Sequence, residues 1–137
     1  MYSFRRLNVW SRAHELTLRV YRLTEGPGFH GYLSLGSQLR RAVSAIPANI
    51  AEGAGHVSQA QFNRYLEIAI ASSHEAQYHL LLARDLTAID TTEYAQLEAR
   101  LIEVQAKLVL LRRRIRQGMG RNAKKGDQLA SPPCETG

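Results

Sequence analysis

Apolar positions recur along this chain at steps of three and four, the helical period, in four separate blocks, and no two-residue alternation competes with them. The first block carries Val9, Ala13, Leu16, Val20 and Leu23 and stops before Gly26-Pro27-Gly28. The second carries Leu39, Val43, Ile46 and Ile50 and stops around Gly53 and Gly55. Ser58 and Gln61 have capping-box spacing and open the third, whose face is Phe62, Tyr65, Leu66, Ala69, Ser73, Ala76, Leu80 and Ala83. Asp90 and Glu93 repeat that signal before the fourth. There Tyr94, Leu97, Leu101, Val104, Leu108, Leu111 and Ile115 form a two-in-seven seam suited to bundle packing. Four helices with short connections predict an all-α, antiparallel up-down-up-down four-helix bundle, with helices crossing at about 20°.

The second helix breaks two rules. Pro47 lies in its interior, removing a backbone donor and freeing the carbonyl four residues earlier, at Val43, which predicts a kink. Asn49, beside it, is expected to satisfy backbone groups that the proline frees. The back of the helix is also unusual. Leu39, Ala42, Val43, Ile46 and Ile50 share the core stripe, while Arg41, Ser44, Ala45, Ala48, Ala51 and Glu52 lie opposite. A solvent face normally carries Lys, Glu and Gln. Small residues there predict a second packed surface, hence a homo-oligomer whose interface holds those six residues, with Arg41 and Glu52 as candidate paired charges. The plainer alternative is an alanine-rich surface helix, alanine being the best helix former.

Length fits one core: 137 residues need neither disulfides nor a metal to fold. Residues 1–117 are expected to form the bundle. Gly118 and Gly120 are expected to end the fourth helix, leaving 118–137 as a flexible basic tail with too few apolar residues to order. The single cysteine, Cys134, argues against a disulfide framework and fits a reducing compartment. The N-terminus has no apolar run of signal-peptide length, and no segment reaches the roughly 18 apolar residues of a membrane span. A cytoplasmic protein without membrane contact follows as the expectation.

Charge then narrows the partner. The net charge is +6, and Arg112, Arg113, Arg114, Arg116, Arg121, Lys124 and Lys125 follow one another without an intervening acid. Arg100, Lys107 and Arg114 recur every seven residues on one flank of the fourth seam, about 10 Å apart along the axis. With Arg113 and Arg116 they predict a surface for RNA or DNA phosphates, a polyanion with no base-stacking aromatics interleaved, so that binding is salt-dependent and weakly sequence-specific. The plainer alternative is a solvated helix flank with basic residues complementing the helix dipole.

Catalytic chemistry finds little purchase. His74 and His79 in His-Glu-Ala-Gln-Tyr-His are five apart, about 140° around a helix, which does not suit a shared metal; no metal site, catalytic residue or cofactor is predicted. Ser72 and Ser73 lack a glycine elbow, and both Gly-x-Gly runs lack a phosphate-loop lysine and read as helix stops. Glu52, Glu67 and Glu75 are isolated, so no acid–base pair stands out.

Gln38-Leu39-Arg40-Arg41-Ala42 followed by Ile46-Pro47-Ala48-Asn49-Ile50-Ala51-Glu52-Gly53 resembles the signature of the family containing the 23S rRNA intervening-sequence proteins and the accessory variability proteins of diversity-generating retroelements. Leu7-x-Val9-Trp10-x-x-Ala13 and Phe62-x-Arg64-Tyr65-Leu66-x-Ile68-Ala69 resemble it too, so that the likeness covers residues 4–116. It implies an antiparallel four-helix bundle assembled as a ring-like homopentamer without known catalysis. In the retroelement branch it also implies nucleic-acid binding and association with a reverse transcriptase. Departures are Val43-Ser44-Ala45 in place of Ala-Val-Ser, Gly36 where a capping Thr or Ser is common, and His56-Val57 where a basic residue is frequent. The last weakens any carry-over of nucleic-acid contacts to that loop. A protein-docking scaffold of the same fold, without nucleic acid, is the alternative function.

Overall fold

The computed structural model describes residues 2–129, with side chains described for 2–121. Residues 130–137, which include Cys134, lie outside it, as do the Lys124 and Lys125 side chains. Among the described residues the regular structure is entirely helical: α1 (Asn8–Thr24), α2 (Leu33–Ala54), α3 (Gln59–Asp85) and α4 (Thr91–Leu129), with short 3-10 turns at Phe4–Arg6 and Pro27–Phe29. Each helix packs on its neighbours in chain order and α4 closes back on α1, so α2 and α4 face each other across the core. The four-helix bundle expected from the sequence is the fold.

The helical blocks bury the positions their spacing singled out. Val9, Ala13, Leu16 and Val20 of α1, Leu39, Val43, Ile46 and Ile50 of α2, Phe62, Leu66 and Ala69 of α3, and Leu97, Leu101, Val104 and Leu108 of α4 make one core. Phe29, Ala88 and Ile89 join it from the connections, where no periodicity marks them. Both predicted caps form: Gln61 N–H donates to Ser58 Oγ at 3.3 Å, and Glu93 N–H to Asp90 Oδ1 at 2.7 Å. Thr87 ends α3 in the left-handed region, φ 58°, with the Ala88 and Thr87 amides returning to Ala83 and Arg84 carbonyls.

Two local expectations are corrected. α4 does not end at Gly118: it continues through Gly118 and Gly120 to Leu129. A glycine in a helix costs only about 1 kcal/mol, which one good packing contact offsets. Gly118 lies against Gln59, where a Cβ would approach Nε2 to 3.0 Å. The second correction concerns the partner of the backbone around Pro47, which lies inside the continuous helix α2. Asn49 donates to Ala45 O at 2.7 Å, a carbonyl the proline does not free; the freed Val43 carbonyl instead accepts from Thr17 Oγ1 of α1, at 3.3 Å. Thr17 also donates to Ala13 O at 2.7 Å, so its hydroxyl is shared between the two helices.

Replacing Thr17 by Val, nearly the same shape, leaves the Val43 carbonyl without that partner in a residue 1% exposed. We expect a loss of about 1–2 kcal/mol of unfolding free energy, measured by urea denaturation followed by circular dichroism. A Thr17→Ser variant should keep most of it, because the hydroxyl remains.

Candidate nucleic-acid interface

The up-down order brings distant parts of the chain to one end of the bundle. Tyr2 N–H donates to the Ala54 carbonyl at the end of α2, and its ring meets Phe62, in the first turn of α3, edge to face at 5.3 Å. The start of α1, Leu7 to Val9, forms one wall of a surface groove completed by Lys107, Leu110, Leu111 and Arg114 of α4. Gly118 touches the first residue of α3. The beginnings of α1 and α3, the end of α2 and residues 107–118 of α4 therefore share this end.

The basic stretch of α4 divides by environment. Arg100 lines a surface cleft with Arg12, Glu15 and Glu103. In it Arg12 lies 3.7 Å from Glu15 and 3.5 Å from Glu103, and Lys107 lies 4.0 Å from Glu103. Carboxylates thus offset this part of the flank. Arg112 is half-buried and donates to Glu67 at 3.0 Å, tying α4 to α3. By contrast Arg113, Arg114 and Arg116 are exposed and, among the described residues, make no ion pair. Arg114 faces the groove beside α1, while Arg113 and Arg116 line a shallow depression with Arg112, Val109 and Gln117. The five residues expected to contact nucleic acid therefore do not form one stripe. Three of them gather at the bundle end with unneutralised charge, and Arg100 and Lys107 sit among acids.

Sequence spacing missed the rest of this end. Arg5 and Arg6 are exposed in the turn before α1, with the Arg5 guanidinium 5.8 Å from the Phe4 ring centre. Only the topology brings them to the end that holds Arg113–Arg116, about a hundred residues later. The one readable signal was a second basic pair at the other extreme of an up-down chain. Acids here are few: Glu67 is held by Arg112, and Glu52 lies 3.7 Å from His56. The opposite end is balanced, Arg19 pairing with Glu93 at 3.0 Å and Arg84 with Asp85 at 3.0 Å.

Chemically the end offers guanidinium groups, whose planar forks match phosphate oxygens in pairs. The aromatic rings nearby are engaged with one another: Phe4 meets Trp10 edge-on at 4.9 Å, and Trp10 stacks on His14 at 5.0 Å. Phe4 and Trp10 are half-buried, and Tyr2, though 46% exposed, is the one ring among exposed arginines, a surface that suits backbone contact better than base readout.

The six residues expected at an oligomer interface sit on the outer side of α2. Ser44, Ala45 and Ala51 are half-buried and Arg41, Ala48 and Glu52 exposed; Ser44 Oγ donates to the Arg41 carbonyl at 3.2 Å. Arg41 and Glu52 do not pair within the protomer. His79 Nε2 lies 3.5 Å from Glu75 and His74 is exposed, while the buried Ser73 hydroxyl donates to Ile70 O at 2.6 Å. Among the described residues no group of three His, Cys, Asp or Glu is placed to hold a metal ion, and no helix is long and apolar enough to cross a membrane.

Compared with known proteins, residues 5–109 match the family model described as 23S rRNA-intervening sequence protein, which is more than half of the chain. No curated protein matches the chain.

Proposed function

We propose that this chain, which belongs to the 23S rRNA-intervening sequence protein family, is a non-enzymatic, homo-oligomeric protein that grips the phosphate backbone of nucleic acid with the basic end of its bundle. One observation carries this reading. Arg113, Arg114 and Arg116 stand exposed and without ion pairs among the described residues, at the end that also presents Arg5 and Arg6. Elsewhere Arg12, Arg19 and Arg84 pair with acids, whereas Arg22, Arg41, Arg64 and Arg100 stand singly without an ion pair among the described residues. Five guanidinium groups at one end of the bundle favour a polyanion over a single small anion. The family's name refers to ribosomal RNA, which places RNA ahead of DNA.

Oligomerisation enters through the outer face of α2. Small side chains at Ser44, Ala45, Ala48 and Ala51 would let a neighbouring helix approach closely, with Arg41 and Glu52 reaching charges on the neighbour. A ring of such subunits, five by the resemblance, multiplies the basic ends and so raises avidity without any new contact. In a retroelement setting the same ring would serve as accessory to a reverse transcriptase. The reading needs no cofactor or metal and places the protein in the cytoplasm.

Fluorescence anisotropy with a labelled RNA hairpin tests it. With four or five phosphate contacts per site, affinity should fall about 100-fold between roughly 50 and 200 mM salt. Binding that ignores salt, or no binding at the lower concentration, would contradict the proposal.

A further inference from the structure

The groove between the start of α1 and α4 has a feature that phosphate contact alone does not need: an apolar lining. Leu7, Val9, Leu110 and Leu111 supply that lining, and Asn8, Lys107 and Arg114 its polar part. Leu110 is 49% exposed there, beside Val9 at 5%. The groove holds about 210 Å³, less than the roughly 300–1,000 Å³ that drug-sized ligands fill. It has room for one flat group, not for the face of a second helix or a stack of rings.

The charges at the groove say what that group is attached to. Arg114 is exposed and makes no ion pair among the described residues, whereas Lys107, 4.0 Å from Glu103, is partly neutralised. α1 begins at this wall with Leu7 in the N-cap position, no side-chain cap and no acid in its first turn. The partial positive charge of the helix start is therefore left uncompensated on the side of the groove that faces Arg114. A fitting occupant joins a flat, largely apolar body to an anion. An apolar protein side chain brings the body without the anion, and inorganic phosphate the anion without the body; a nucleotide brings both.

We infer that this groove receives one unpaired base of a bound RNA, with the phosphate next to that base on Arg114. The inference rests on the RNA reading of the basic end and specifies which RNA that end prefers, a duplex with a bulged nucleotide over a fully paired one. In a paired stem the faces of the bases are stacked on one another, and a base already unpaired costs least to turn outward. Aliphatic walls accept the face of any base. Asn8 is exposed and without a hydrogen-bond partner among the described residues, and its amide both donates and accepts. The groove therefore selects for an unpaired nucleotide without reading which one it is.

Fluorescence anisotropy tests this with three labelled RNA duplexes of one sequence: fully paired, carrying a single bulged nucleotide, and carrying that bulge as an abasic site. At low salt the bulged duplex should bind about tenfold tighter than the paired one, and the abasic duplex should lose most of that gain. Leu110→Gln adds no charge at a half-exposed position and should cut the bulged-to-paired ratio to about two, with helical circular dichroism unchanged. Methyl NMR resonances of Leu7, Val9, Leu110 and Leu111 should shift with the bulged duplex and not with the abasic one. Equal affinity for all three duplexes, an abasic duplex as tight as the bulged one, a ratio unaltered by Leu110→Gln, or methyl resonances that stay still would each overturn the inference and leave phosphate binding by the basic end intact. No binding of any duplex at low salt would instead remove the RNA reading of that end, and this inference with it.

Discussion

Reversing Arg113, Arg114 and Arg116 to Glu together is expected to weaken RNA binding by about 100-fold or more at low salt and to flatten its salt dependence by about three in slope. Each arginine removed takes away one released counterion, and each glutamate adds repulsion to the phosphates. The fold should tolerate the change, since all three side chains are exposed and none is paired within the protomer among the described residues. The control is informative because the sequence grouped it with the others. Reversing Arg100 and Lys107 should cost less than about tenfold, since Glu15 and Glu103 already occupy their surroundings. Anisotropy titrations of both variants at several salt concentrations separate these outcomes. A larger loss from the second pair would move the binding surface to the flank of α4.

Phe62→Ala should be the most damaging single change to stability, at about 3–5 kcal/mol, a large share of what a domain of this size has. Phe62 is 1% exposed and packs at a close contact between α2 and α3. A Cβ added at Gly53 would lie 3.1 Å from its ring and 2.8 Å from Tyr65 Cβ, so the backbone there is already tight against both side chains and cannot simply close over a cavity. The ring also supports Tyr2, whose amide is anchored on Ala54. Its loss therefore loosens the segment that carries Arg5 and Arg6, and RNA affinity should weaken together with stability. Phe62→Leu, which fills most of the volume, should lose roughly 1 kcal/mol. Urea denaturation at fixed protein concentration measures both, and a loss under 1 kcal/mol for Phe62→Ala would contradict this view of the packing.

The bundle was legible in the sequence because its information is periodic and local. Leu97, Leu101, Val104 and Leu108 announce a seam by their spacing, and Ser58 and Asp90 announce caps by theirs. What spacing could not give is anything that depends on which helix stands beside which. Thr17 and the Val43 carbonyl are neighbours only because α1 and α2 pack at that height, so Asn49, nearer in sequence, looked the better partner for the backbone around Pro47. Gly118 looked like a helix end because its propensity is readable and its contact with Gln59 is not.

The candidate site divides in the same way. The basic run of α4 was plain in the sequence, but the carboxylate of Glu15 that lines the Arg100 cleft comes from α1, and Arg5 and Arg6 reach the same end from the far end of the chain. On α4 the sequence does not tell Ile102 and Val109 from the apolar residues beside them; only the folded chain shows that they stay exposed while Leu101 and Leu108 are buried.

The most direct measurement is a map of RNA contact on the protein. Amide and arginine side-chain NMR shifts, followed while a short RNA hairpin is added, should move first and furthest at Arg5, Arg6, Arg113, Arg114 and Arg116 and stay still around Asp85, Asp90 and Glu93. Shifts centred on the Arg12–Arg100 cleft or on the balanced opposite end, or none at all, would contradict the basic end of the bundle as the binding surface.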